Sequence, residues 1–179
     1  LHNILACIAS AVRIGIPADS IKEALESFSG VKRRQEIRGV KNQITIMDDF
    51  AHHPTAVKET IRAVRPYYEQ GRVIAVFEPR TNTSMRQFFQ QDYPASFLDA
   101  DMACICEPAV KKNIPEQEKF SVKKLVSDIS DLGIEAYHFD SSQALLDGLV
   151  PMLRPKDLVL VMSNGGFGNL HAKLLENIS

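Results

Sequence analysis

Short, almost wholly apolar segments separated by amphipathic stretches fill the sequence from residue 35 onward, and this alternation constrains the fold more than any other feature. Candidate strands cover 36–40, 44–47, 73–77, 102–106, 136–139 and 158–162, with the first two joined by a turn at Asn42. Helical patterns lie between and after them, at 54–64, 85–98, 122–132, 142–153 and 170–178. A strand that is apolar at every position, rather than at alternate ones, is buried on both faces. The solution for such strands alternating with helices is a parallel sheet covered on both sides. The sequence therefore predicts an α/β fold with a Rossmann-like, doubly wound, mostly parallel sheet.

The first residues obey a different pattern. Ile4, Ile8 and Val12, interleaved with Ala6, Ala9 and Ala11, predict a helix with one buried stripe that Gly15 ends as a C-cap. Pro17 and Asp19 open a second helix with Ile21, Ala24, Leu25 and Phe28 on its apolar face. The basic run Lys32-Arg33-Arg34 reads as a boundary, dividing the chain into a helical segment 1–34 and an α/β domain 35–179. The sequence opens at Leu1, already inside an apolar helical pattern, which reads as a larger protein cut at this point.

Charge and cysteine usage narrow the function classes. Lys and Arg number 21 against 22 Asp and Glu, so no global positive field exists to gather nucleic acid or an anionic membrane. No apolar run approaches the ~20 residues of a bilayer span. Cys7, Cys104 and Cys106 form no metal-ligand or redox spacing and read as three reduced, buried thiols, which points to the cytoplasm.

In open α/β sheets ligands bind beyond the carboxyl ends of the strands, so three loops stand out. In Asp48-Asp49-Phe50-Ala51-His52-His53-Pro54, the proline suits a first helical turn and sets His52 and His53 at a helix N-terminus suited to phosphate or carboxylate. The same residues read equally well as helix caps, through Asp49 and His53. Adjacent histidines point apart, and no third ligand follows at a zinc spacing. In Glu78-Pro79-Arg80-Thr81-Asn82-Thr83, Arg80 is suited to a bidentate grip on carboxylate or phosphate, or else pairs with Glu78 in a surface turn. In Ser163-Asn164-Gly165-Gly166-Phe167-Gly168, glycines admit a close backbone approach, or simply make a tight turn. His2, His138 and His171 have no acidic or nucleophilic company in sequence and read as structural.

Together with Gly30-Val31-Lys32-Arg33-Arg34, these loops resemble the Mur ligase family of ATP-dependent peptidoglycan enzymes, and the resemblance covers nearly the whole chain. It implies that 35–179 is the family's carboxy-terminal domain and 1–34 a helical remnant of its central ATPase domain with the hinge. It implies ATP contacts at Asn3, Arg34 and Asp49, and substrate contacts at His52, His53, Arg80, Asn82, Ser163, Asn164 and Gly165. The implied reaction activates the carboxylate of UDP-N-acetylmuramate with ATP as an acyl phosphate. The amine of the tripeptide L-Ala-γ-D-Glu-meso-diaminopimelate then displaces the phosphate, in the recycling of bacterial cell-wall peptide. Mg2+ would be held mainly by the central domain. The family's P-loop, Mg-binding residues and UDP-binding domain have no counterpart in these residues, so the chain alone is expected to be inactive and to hold no catalytic or metal ligand of its own. The alternatives are an L-alanine-adding ligase of the same family and a non-catalytic nucleotide-binding module.

Overall fold

A computed structural model describes residues 2–81, 84–109 and 114–178. By contacts the chain forms two compact units, Leu1–Lys32 and Arg33–Ser179.

The first unit is a helical hairpin of α1 (His2–Arg13) and α2 (Ala18–Ser27). Gly15, at φ +84, ends α1 where the Ile16 amide reaches back to the Ala11 carbonyl, as the C-cap reading requires. The expected buried stripe is not found. Ile4, Val12, Leu25 and Phe28 are exposed and Ile8 is half-buried. Two short helices offer each other only one line of contact, which leaves most of each apolar face open. Cys7 is exposed as well, so only two of the three thiols are buried.

The second unit holds a six-stranded sheet: β1 (Glu36–Lys41), β2 (Ile44–Asp49), β3 (Val73–Phe77), β4 (Met102–Cys106), β5 (Glu135–Phe139) and β6 (Leu158–Met162). Their order across the sheet is β1-β2-β6-β3-β4-β5, with β1 antiparallel and the rest parallel. The helices are α3 (Pro54–Val64), α4 (Val122–Asp131), α5 (Ser142–Leu149) and α6 (Leu170–Asn177).

Successive side chains of a strand point to opposite faces, and here both faces are apolar. Ala75, Phe77, Ala103, Ile105, Leu160 and Met162 meet Val57 and Ile61 of α3 and Leu125 and Ile129 of α4. Ile74, Val76, Cys104, Val159 and Val161 meet Leu145 and Leu149 of α5 and Leu170 and Leu174 of α6. Each fully buried Leu, Ile or Phe contributes roughly 1.5–3 kcal/mol. The doubly wound sheet is therefore as expected.

One expected element takes another form. The stretch 85–98 is not a continuous helix but two 3-10 turns, Gln87–Phe89 and Pro94–Phe97. Pro94 has no N–H to give an α-helical bond. The side-chain amide of Gln90 is spent on Ser121, donating to its carbonyl at 3.1 Å and accepting from its N–H at 2.7 Å. Helix α5 likewise stops at Leu149, before Pro151, and ends in a 3-10 turn.

At the amino ends of β3 and β6, Arg72 grips Asp157 bidentately, Nη2 and Nε donating to its two carboxylate oxygens at 2.7 and 3.0 Å. Beside this pair, a Cβ on Gly71 would lie 1.9 Å from the Lys156 carbonyl oxygen. Gly71→Ala should therefore cost about 2–3 kcal/mol of unfolding free energy in urea titration, because backbone cannot step aside. Gly133→Ala faces open space and only a φ of +83, so about 1 kcal/mol is expected there. Equal losses at the two positions would contradict the packing described.

Candidate functional site

The chain passes from β2 through α3 to β3, leaving between them a position that β6 later fills. The helix after β2 covers one face and the helix after β6 the other. The connections thus diverge to opposite faces at the carboxyl end of β6, which is where a doubly wound sheet opens a crevice. The three loops singled out by sequence meet at this end.

At the end of β2, Asp48 and Asp49 are both buried. Asp49 is committed to its own surroundings. Oδ1 accepts from the Ala51 N–H at 2.7 Å and from the Thr60 hydroxyl at 3.4 Å, and Oδ2 accepts from the Gln35 N–H at 2.9 Å. It shapes the loop and ties it to the linker, rather than capping α3, whose N-cap is His53 without a side-chain bond. Asp48 lies between two basic groups, with Arg33 Nε 3.3 Å from Oδ2 and His171 Nε2 3.3 Å from Oδ1.

After β6, the Ser163 hydroxyl donates to buried Glu78 at 2.7 Å and accepts from the Gly165 N–H at 3.0 Å. The Ser163 N–H donates to the Asp49 carbonyl at 3.2 Å. Two of the amides expected to meet a ligand are therefore already used within the fold. Arg33 Nη2 donates to the carbonyls of Ser163 and Gly165, the latter at 2.8 Å. Arg80 lies across Gly165 so closely that a Cβ there would come within 2.4 Å of its Cδ and Nη1. Its guanidinium stays 3.9 Å from Glu78, beyond a hydrogen bond, and its side chain is 32% exposed. Arg80 is thus anchored beneath and open above.

The remaining expected residues are scattered. Arg34 is exposed, with its guanidinium carbon 5.2 Å from the Phe50 ring centroid, as is that of Arg33. His52 Nδ1 is 2.9 Å from the Phe50 carbonyl. His53 turns to Phe89 and lines a separate cleft of about 570 Å³ with Lys58 and Asp92, to which neither Arg80 nor Ser163 contributes. The Asn164 side-chain oxygen is buried without a partner among the described residues. Asn3 is an exposed residue of α1, in the first unit, and Asn82 lies outside the described residues.

Sequence reasoning passed over Arg33, Glu78 and His171. Arg33 shows in sequence only as one member of a basic run, because its partners lie some 130 residues away. His171 and His138 do have acidic company in space, the latter 3.3 Å from Glu107 and 3.6 Å from Asp140. Burial pushes the Cys104 and Cys106 thiols up to about 12, so neither is a nucleophile at neutral pH. No group of three or more His, Cys, Asp or Glu among the described residues could hold a metal ion. No helix among them is long and apolar enough to cross a membrane.

Residues 33–165 match the family model for the Mur ligase, glutamate ligase domain. The chain belongs to the Mur ligase family. The UDP-N-acetylmuramate–L-alanyl-γ-D-glutamyl-meso-2,6-diaminoheptandioate ligase of Escherichia coli (strain K12) is 38% identical over 181 residues, covering 100% of this chain and 37% of that protein. The UDP-N-acetylmuramate–L-alanine ligase of Desulforapulum autotrophicum is 36% identical, over 98% of this chain and 38% of that one. Among solved structures, a murein peptide ligase from Psychrobacter arcticus superposes with a TM-score of 0.74 at 30% identity, covering 98% of this chain and 36% of that one. The chain thus spans little more than a third of the length of these Mur ligases, and its residues 33–165 correspond to the family's carboxy-terminal domain.

In this Mur ligase domain, His171 is held below its ordinary value of 6.5, chiefly by burial, with Arg38 and Arg33 adding to the effect and Asp48 opposing it. Its Nε2 lacks the alignment of a hydrogen bond to Asp48, so burial outweighs the carboxylate. The folded state then stays neutral at His171 while the unfolded chain takes up a proton. Stability is lost as pH falls below 6.5 toward the folded value. Unfolding at pH 7.5 and pH 5 should show a smaller pH-dependent loss for His171→Gln than for the wild type; identical losses would contradict the assignment.

Proposed function

We propose that this chain is the carboxy-terminal part of an ATP-dependent ligase that joins L-Ala-γ-D-Glu-meso-diaminopimelate to UDP-N-acetylmuramate in the bacterial cytoplasm, during recycling of cell-wall peptide. The observation that carries this reading is the 38% identity, along the whole chain, to the Escherichia coli ligase of that description. Helical unit 1–34 would be the end of a central ATPase domain and hinge, and 35–179 the domain that brings the amine substrate.

In the first step a muramoyl carboxylate oxygen attacks the γ-phosphorus of ATP, releasing ADP and leaving an acyl phosphate. In the second the tripeptide amine attacks the acyl carbon, an amide bond forms, inorganic phosphate departs and the ammonium proton is lost. Mg2+ would neutralise the transferring phosphoryl group from the central domain. Such a reaction needs positioning and charge stabilisation more than a nucleophilic side chain, which suits a domain whose two strand thiols are deeply buried. Arg80, anchored on Gly165 and open above, suits a carboxylate of the tripeptide. Ser163, Asn164 and Gly165, whose loop it lies across, would share that contact, whereas His53 lines the separate cleft beside Phe89.

For ATP, the exposed Arg34 would meet the phosphates. Asp49 fits a ribose contact less readily, because its oxygens already hold Ala51, Thr60 and Gln35. It would act on the nucleotide mainly by fixing the linker that carries Arg34.

A second reading, the L-alanine-adding ligase, is favoured by the 36% identity to the Desulforapulum autotrophicum enzyme. Comparing kcat/KM for tripeptide and L-alanine on the full-length protein separates the two, and the tripeptide is expected to win. On the same protein, Arg80→Lys keeps the charge but loses the planar fork. It should lower kcat/KM for tripeptide by about 1–3 kcal/mol with the KM for ATP nearly unchanged. A collapse of ATP binding with normal tripeptide kinetics would make Arg80 a nucleotide ligand instead.

A further inference from the structure

We propose that Arg33 is a positioning residue that sets two peptide planes of the substrate loop so that the N–H groups of Asn164 and Gly166 are presented to a carboxylate of the amine substrate. Its kinetic consequence rests on the ligase reading above; its structural consequence does not.

Arg33 is the first residue of the second compact unit and sits at φ +58, a conformation that a non-glycine residue adopts only when its surroundings hold it. Three groups hold the main chain and guanidinium in place. The Arg33 N–H donates to Glu36 at 2.8 Å, its carbonyl accepts from the Phe50 N–H at 2.9 Å, and Asp48 pairs with Nε. What this held guanidinium does is donate from one nitrogen to two carbonyls, those of Ser163 and Gly165.

In a trans peptide the C=O and the following N–H point in opposite directions. Pinning the carbonyls of Ser163 and Gly165 to Arg33 therefore turns the N–H groups of Asn164 and Gly166 away from it. Among the described residues, neither of these two amides has a hydrogen-bond partner, in contrast to those of Ser163 and Gly165. A cation bound to the carbonyl side also polarises each peptide, making its N–H a stronger donor. The backbone around Gly166 is exposed, and a Cβ there would meet nothing within 4 Å, whereas one on Gly165 would strike Arg80. Two oriented, unspent N–H donors next to an anchored guanidinium form a binding site for a carboxylate. His171 of α6 stands 3.3 Å from the far oxygen of Asp48. The guanidinium is thus fixed from behind before it fixes the loop.

Two measurements on Arg33→Lys, which keeps one positive charge but cannot bridge two carbonyls and Asp48 together, test the proposal. In hydrogen exchange on this chain, the hydrogen-bonded Ser163 and Gly165 amides should exchange about tenfold faster, while the core strands keep wild-type protection. On the full-length ligase, the KM for the amine substrate should rise about tenfold, with kcat and the KM for ATP within about twofold of wild type. Should Arg33→Lys not fold, Asp48→Asn loosens the same guanidinium from behind and carries both measurements. Wild-type exchange at Ser163 and Gly165 overturns the proposal, as does a KM change confined to ATP. If the wild-type enzyme ligates neither tripeptide nor L-alanine, the functional reading fails, and hydrogen exchange alone decides whether Arg33 positions the loop.

Discussion

The insertion of β6 between β2 and β3 is the constraint on which the rest of the site depends. Its residues pair with Thr45 to Asp49 on one side and with Val73 to Phe77 on the other, all parallel. That pairing fixes register, so Asp49 stands level with Met162 and Phe77 with Met162. Residues that leave the three strands at this level, Asp48 and Asp49, Glu78 and Arg80, and Ser163 to Gly165, then share one crevice whatever their separation in sequence. The strands owe their own stability to burial on two faces, and the bidentate Arg72–Asp157 pair secures β3 and β6 at the opposite end. The stable core and the ligand end are thus spatially separate, so loop chemistry can change without dismantling the sheet.

The crevice balances buried acids against held bases. Burying a carboxylate is costly unless it is paired and hydrogen-bonded. Here each acid meets that condition differently. Asp49 collects two backbone N–H groups and a hydroxyl, Asp48 faces Arg33 and His171, and Glu78 receives the Ser163 hydroxyl. Arg80 is the exception. It is packed on Gly165 but stands off Glu78, which leaves its hydrogen-bonding edge for a ligand.

The fold was legible because strand and helix identity are local properties. Uninterrupted apolar runs such as Leu158 to Met162 announce a strand covered on both sides, and Pro54 after two histidines announces a helix start. Local reading failed where a distant partner decides. The 85–98 stretch has helical spacing, yet Pro94 and the Gln90–Ser121 pair convert it to separate turns. The hairpin's Val12 and Phe28 carry an apolar pattern but find no third element within their own unit. In the site, the loops could be located from the ends of the strands, whereas the division of labour inside them could not. Asp49 looks like a free carboxylate until Gln35 and Thr60 are seen against it, and Arg33 looks like any member of a basic run until the Ser163 and Gly165 carbonyls arrive.

We propose that the carboxyl ends of β2, β6 and β3 receive the amine substrate of a peptide ligase. The most direct test is a crystal structure of the full-length protein with L-Ala-γ-D-Glu-meso-diaminopimelate and a non-hydrolysable ATP analogue. A carboxylate of the tripeptide should lie within hydrogen-bonding distance of Arg80 and of the Asn164 or Gly166 amide, with its free amine directed toward the nucleotide's terminal phosphate. A tripeptide seated in the His53–Phe89 cleft, or at the Gly71–Lys156 end of the sheet, with the Arg80 crevice left to the nucleotide, would contradict the account.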